Sequence, residues 1–134
     1  YSKLTNKINS NLIKLAINDN LPILGICYGA EILALNLNCT LKRMTKPLNE
    51  IVKISINVPN PLTDPYDKLN MYCKRAFQIF RLSKEVNSYS SSVFSDNEII
   101  KHVNYNMFGL QFHPELSGPI GKQIINNFIN IVKK

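Results

Sequence analysis

"LPILGICYGAEILAL", residues 21–35, passes from one kind of structure into another with no intervening loop. "LPILGI" is a short apolar run preceded only by the polar Asn18, Asp19 and Asn20, the pattern of a strand covered on both faces. "YGAEILALNL" follows with Ile32, Leu33, Leu35 and Leu37 available for burial on a helix. Cys27 sits at the joint, between Gly25 and Gly29. Cysteine is a good small core residue. A sharp strand-to-helix turn, however, strains the residue at its apex, and glycines on either side relieve the crowding. The side chain then stands at a helix N-terminus, where backbone N–H groups and the helix dipole favour thiolate over thiol. The N–H of Tyr28, next in the chain, lies where an oxyanion would form.

Ahead of this stretch, residues 2–19 carry Leu4, Ile8, Leu12, Leu15 and Ala16 at helical spacing, predicting an amphipathic helix. Beyond it, "EIVKISINV" (50–58) reads as a strand, and "VPNPLTDPYD" (58–67) as a proline-rich loop or edge. "NMYCK" and "FQIFRL" predict two strands separated by Lys74–Ala76. "SYSSSVF" and "EIIKHV" predict a hairpin around Ser95, Asp96 and Asn97. "MFGLQF" (107–112) is a late strand ending at "HPE". "SGPIGKQIINNFINIVKK" opens with helix-start chemistry, and Ile124, Ile125, Phe128, Ile129 and Val132 mark an apolar face. Two strand-to-helix units around a strand-rich middle imply an α/β three-layer sandwich, with a mostly parallel central sheet flanked by helices. Such a sheet places its site at the carboxyl ends of its strands. Cys27 and His113 both fall at such ends.

The chain has 134 residues, 45% of them hydrophobic and 19% charged, which suits one compact domain with a real core. No apolar run approaches the ~20 residues that span a bilayer, and no secretory signal is visible. With three cysteines, an odd number, and no export signal, reduced thiols in a cytoplasmic setting are expected rather than a disulfide framework. No C-x-x-C pair or His/Cys cluster has metal-ligand spacing, so neither a metal nor a cofactor is expected. The net charge of +7 raises a nucleic-acid reading. Yet Lys3, Lys7 and Lys14 lie on the first helix, Lys42, Arg43 and Lys46 in an expected loop, and Lys133 and Lys134 at the tail. No basic run is interleaved with aromatics, and a solvated basic surface or a patch for an acidic partner is the better reading.

A thiolate needs a base that accepts and returns a proton, and histidine is the usual one. Of the two histidines, His113 precedes Pro114, which restricts the residue before it to an extended pose. Glu115 is close enough to turn back and orient the imidazole. His102, in "EIIKHVNYN", has no such context and reads as a strand or surface residue. Cys39 and Cys73 read as inert thiols. A cysteine at a strand–helix joint, or His-Pro-Glu in a loop, has an ordinary structural explanation alone. Together, at two strand ends of one small α/β domain, they point to a site.

"PILGICYGAEILA" and "FGLQFHPE", with "GKQIINNFI" after them, resemble the class I, triad-type glutamine amidotransferases. The likeness runs from about Leu12 to the C-terminal helix. It implies a flavodoxin-like sheet between helices. It also implies Cys27 as nucleophile, His113 as general base and acid, and Glu115 as the residue orienting His113. The reaction so implied is hydrolysis of the side-chain amide of L-glutamine through a γ-glutamyl thioester. Ammonia then passes to a synthetase subunit or domain. Within the family, "GICYGAE" with "GLQFHPE" is most similar to the GMP synthase type. The His-Thr pair usual after the HPE motif is absent, and Leu116 also departs from the anthranilate-synthase pattern.

Other departures bear on function. Glu31 stands where the family usually has a substrate-contacting Gln. Lys74 and Arg75 fall in "YCKRAFQIF", where the family often has a Ser-His pair. The family's opening strand, helix, second strand and glycine-rich turn, the last donating a second oxyanion N–H, have no counterpart ahead of residues 2–19. Loss of one such donor costs about 100–1000-fold in rate. If the chain is all there is, severely impaired catalysis and an incomplete sheet with exposed apolar surface are expected; if it is a fragment, the missing segment supplies the donor and the strands. Two alternatives stay open: a γ-glutamyl hydrolase, and a catalytically impaired binding or regulatory subunit.

Overall fold

A computed structural model describes residues 3–134, apart from the side chain of Leu4. Tyr1 and Ser2 lie outside the described residues. The elements run α1 (Lys3–Asn18), β1 (Ile23–Ile26), α2 (Tyr28–Asn36), β2 (Leu41–Ile56), β3 (Lys68–Ile79), β4 (Val86–Ser91), β5 (Ile99–His102), β6 (Met107–Leu110) and α3 (Gly118–Lys133). The strands form one six-stranded sheet in the order β1-β6-β5-β4-β2-β3.

Alternation along the strands divides the apolar side chains between two cores. In β5, Ile99 faces one and Ile100 the other; in β6, Phe108 and Met107 do the same. One core holds Phe108, Phe112 and Ile124 beneath α3. The other holds Ala30, Leu33 and Met107 beneath α2, with Ile13, Ala16 and Ile17 of α1 packed on it. The α/β class and the layering are therefore as expected. The sheet is mixed, however, and not mostly parallel. Among the described residues only β1 and β6 pair in parallel, while β2–β3, β2–β4, β4–β5 and β5–β6 are antiparallel. The connections β2–β3, β4–β5 and β5–β6 reverse the chain between antiparallel neighbours, whereas β3 passes β2 to reach β4.

Local readings shift for identifiable reasons. Lys42, Arg43 and Lys46 belong to β2, not to a loop. "NMYCK" and "FQIFRL" lie on one continuous strand, β3, which runs through Lys74–Ala76. In α1 the half-buried Ile13, Ala16 and Ile17 pack on the core, whereas Ile8, Leu12 and Leu15 stay 50%, 60% and 61% exposed. α3 turns Gly121 and Ile124 inward and sets Phe128 edge-on to Phe108 at 6.1 Å, leaving Ile129 and Val132 exposed. Its seat is fixed by Gly121, where a Cβ would lie 2.0 Å from the Pro114 carbonyl oxygen. The hairpin around Ser95–Asn97 and the loop over residues 58–67 form as expected. Among the described residues no helix is long and apolar enough to cross a membrane.

The close approach that matters to the site is between β1 and α2. A Cβ on Gly25 would lie 2.7 Å from the Gly29 carbonyl oxygen, whereas one on Gly29 would meet nothing within 4 Å. Relief of crowding thus comes from Gly25 alone, not from a glycine on each side. Gly25→Ala is expected to destabilise the fold by about 1–3 kcal/mol through overpacking against backbone. Gly29→Ala should stay within about 0.5 kcal/mol of the parent. Urea unfolding midpoints of the two variants check this contrast.

Candidate active site

Cys27 ends β1 and caps α2 with φ 52° and ψ −104°. A non-glycine residue held there stores about 1–3 kcal/mol of strain and needs surroundings that enforce it. They are present on both sides. The Cys27 N–H donates to the Leu110 carbonyl at 2.6 Å, continuing the β1–β6 ladder, and the Cys27 carbonyl accepts the Glu31 N–H at 3.1 Å, the first turn of α2. The side chain is forced off the sheet at the carboxyl end of the only parallel strand pair among the described residues. There the Cys27 Sγ donates to the Lys74 carbonyl of β3 at 3.2 Å.

The thiol opens on a cleft of about 770 Å³ whose walls include Tyr28, Glu31, Lys74, Phe77 and His113. The structure thus brings Cys27 and His113 to one cavity. His113 Nδ1 lies 3.1 Å from Glu115 Oε2, so the acid does turn back onto the ring. The backbone of His113 is fixed as well. Its N–H donates to the Tyr72 carbonyl at 2.8 Å. Its carbonyl accepts the Ser117 hydroxyl at 2.6 Å, and that hydroxyl in turn accepts the Tyr72 N–H at 2.9 Å. Tyr28 plays two parts: its N–H hydrogen-bonds the Cys27 sulfur, and its hydroxyl bonds the Asn6 side chain of α1.

Beneath the cleft lies a polar floor. Glu31 Oε2 accepts from Gln111 Nε2 at 3.1 Å, and Gln111 Oε1 accepts the Ile79 N–H at 2.9 Å. Arg75 forks onto Glu98 with two bonds of 2.8 Å, both side chains fully buried, and also donates to the Gln111 carbonyl at 3.2 Å. Glu98 Oε2 accepts the Ser92 hydroxyl at 2.5 Å. The sequence singles out Arg75, though in a break between two expected strands, and carries no signal for Glu98, Gln111 or Ser117, whose partners Arg75, Glu31 and Tyr72 lie far away in the chain.

The Cys27 thiol is pushed up to about 11, by burial first and the Glu31 charge second, with Glu115 adding to both; the Tyr28 N–H and Arg75 pull the other way. Burial and the Glu31 charge thus work against the pull of the helix N-terminus toward thiolate. Burial also raises the Glu31 carboxyl, against the Gln111 hydrogen bond and Arg75. Of the remaining candidates, His102 accepts the N–H groups of Asn104 and Tyr105 on Nδ1, at 3.0 and 3.3 Å, and so caps a turn. Cys39 and Cys73 are free and buried, and burial, with Glu98 second, pushes the Cys73 thiol up to about 12.

A thiol on a strained strand–helix elbow, above the ends of parallel strands and sharing a cleft with a histidine–carboxylate pair, defines a class of α/β protein. The particular family follows from comparison. The glutamine amidotransferase class I model matches residues 3–132, and the chain belongs to that family. It is similar to a subunit of the glutamine-hydrolysing GMP synthase of Methanocaldococcus jannaschii, 27% identical over 90% of this chain and 65% of that protein. The corresponding subunit from Methanococcus aeolicus is 30% identical over 91% of this chain and 66% of that protein. The chain thus spans about two thirds of the length of these relatives. Among solved structures, a glutamine amidotransferase from Thermotoga maritima shares the fold, with a TM-score of 0.74 at 21% identity over 95% of this chain and 55% of that one.

Two outcomes test the electrostatics. Glu31→Gln removes a charge that raises the Cys27 pKa, so its midpoint should fall and alkylation of Cys27 by iodoacetamide at mildly alkaline pH should quicken. Peptide-mapped labelling rates across pH measure this. Glu98→Gln leaves Arg75 as a buried charge without its counter-ion, and should cost about 3–5 kcal/mol in denaturant unfolding.

Proposed function

We propose that this chain is a glutamine-hydrolysing domain that supplies ammonia to a synthetase partner. The observation that carries the reading is Cys27 held at positive φ with its sulfur on the wall of the cleft that His113 also lines. Cys27 Sγ attacks the side-chain carboxamide carbon of L-glutamine while His113 takes the thiol proton. The C–N bond then breaks, and the nitrogen leaves as ammonia with the proton returned by His113. A γ-glutamyl thioester remains. Water, activated by the same imidazole, cleaves it to glutamate and regenerates the thiol. Glu115 on Nδ1 fixes the ring and stabilises the imidazolium, and the Tyr28 N–H binds the developing oxyanion. Glu31, in the cleft wall, contacts the substrate's polar groups. A reaction run on a reduced thiol belongs in a reducing compartment such as the cytoplasm.

The similarity to GMP synthase subunits supports an acceptor of that type. On this reading ammonia passes to a synthetase subunit of that kind. The burial of Cys27 in one cleft with Glu31 favours a second reading, in which the chain is silent on its own, since both raise the thiol's pKa and leave a poor nucleophile at rest. A γ-glutamyl hydrolase would use the same groups on a γ-glutamyl peptide.

Glutamate release from glutamine, measured with and without the synthetase subunit, separates the three. The proposal expects turnover that rises on partner addition. Cys27→Ala should lower it to background, a loss of about a thousandfold or more, with an unchanged circular dichroism spectrum. His113→Asn should cost about 100–10,000-fold. Turnover that survives Cys27→Ala would remove the mechanism. No turnover under any condition supports the silent chain, and cleavage of γ-glutamyl peptides but not glutamine supports the hydrolase.

A further inference from the structure

Glu31, Lys74, Arg75 and His113 share the wall of the cleft with Cys27. Three of these side chains have partners within the chain. Arg75 spends both Nη atoms on Glu98, His113 faces Glu115, and Glu31 accepts from Gln111 on Oε2. Lys74 differs. Among the described residues its ammonium makes no ion pair with a carboxylate. The residue directly opposite it on β2 is the neutral Asn49, whose Oδ1 already accepts the Tyr72 hydroxyl at 2.5 Å.

Strand geometry sets Lys74 beside the nucleophile. Its carbonyl accepts the Cys27 thiol at 3.2 Å, so its side chain leaves the backbone next to the sulfur. Side chains two positions apart share a face of a strand. Lys74 therefore stands on the side of Tyr72, whose ring lies 6.0 Å from that of His113. Glu31 reaches the same cavity from α2, a buried carboxylate with one oxygen held by Gln111. One cation and one anion thus enter the cleft from two elements, near the sulfur and without each other as partner.

We propose that Lys74 is a specificity-determining residue that pairs with the α-carboxylate of the substrate, so that the cleft takes an unblocked amino-acid end with its α-ammonium on Glu31. The proposal rests on the glutaminase reading and adds the group that recognises the non-reacting end of the substrate. Opposite charges on the α-carbon of glutamine match opposite charges on the wall. A carboxylate brought beside Glu31 is repelled unless a cation stands with it. Lysine suits the task, being a point charge on a flexible stem that needs no fixed fork. The α-carboxylate keeps its charge throughout the reaction, so Lys74 acts on substrate and transition state alike and governs KM more than kcat.

The test labels Cys27 of the full-length chain with the chloroketone analogue of glutamine, which carries both α-charges, and with iodoacetamide, which carries neither. Peptide mapping follows the rate against reagent concentration. Lys74→Met and Lys74→Gln should each raise the half-saturating chloroketone concentration about tenfold. Lys74→Arg keeps the charge and should recover most of the loss. The same chloroketone with its α-carboxylate amidated should show no difference between parent and Lys74→Met. Melting curves confirm that each variant folds. Equal half-saturation of parent and both neutral variants overturns the proposal. So does a loss of the same size with iodoacetamide or with the amidated chloroketone, which would place the effect on the thiol or the fold. A parent that the chloroketone does not label at Cys27 removes the glutaminase reading, and Lys74 with it. Saturable labelling of Cys27 that ignores Lys74 leaves that reading standing and removes Lys74 alone.

Discussion

The β1–α2 contact at Gly25 is the constraint on which the rest depends. A Cβ there would sit within 3 Å of the Gly29 carbonyl and the Ala30 nitrogen, so the strand and the helix can meet this closely only through a glycine. That approach gives the chain no room for a loop and places the change of direction on one residue, Cys27. The ladder bond to Leu110 on one side and the first helical bond to Glu31 on the other then hold Cys27 at positive φ. Because β1 lies parallel to β6, the same sheet edge that ends in Cys27 leads, through β6, into His113. Strain, the sulfur's place on the cleft wall and proximity to the histidine segment thus follow from one packing contact.

Charge beneath the cleft acts on Cys27 in both directions. Arg75 favours a thiolate at Cys27 and Glu31 opposes it, while Glu98 holds Arg75 charged in a fully buried site. A buried ion pair of this kind adds little net stability over apolar packing, but losing one member is costly. Here it also ties β3 to the β5–β6 region: Arg75 reaches the Gln111 carbonyl and Gln111 reaches the Ile79 N–H. With the Tyr72 bonds to His113 and Ser117, this lays β3 against the strand ends as a wall of the cleft. The same strand carries Phe77 into the cleft wall.

The elbow was legible in the sequence because its signal is local: a greasy run, a glycine, a cysteine and a helical pattern within fifteen residues. The His113–Glu115 pair was legible for the same reason, two positions apart with a proline between. Strand direction was not, since apolar alternation does not record whether a connection reverses or crosses over. β3 was divided at Lys74–Ala76 because two consecutive cations look like a break. The charge of Arg75 is accommodated only by Glu98, a partner 23 residues on. Likewise, the spacing of α3 offered Ile129 and Val132 as a buried face, and only the contact of Gly121 with Pro114 decides otherwise.

In the proposed function the Cys27 sulfur is the atom that meets the substrate, with His113 on the same side of the cleft. A crystal structure of the chain after reaction with a chloroketone analogue of glutamine measures this directly. Continuous density from Cys27 Sγ to the ligand, with the ligand oxygen on the Tyr28 N–H and the His113 ring within hydrogen-bond reach of the adduct, is the predicted result. Density on Cys39 or Cys73 instead, or an adduct at Cys27 with His113 turned away from it, would contradict the account.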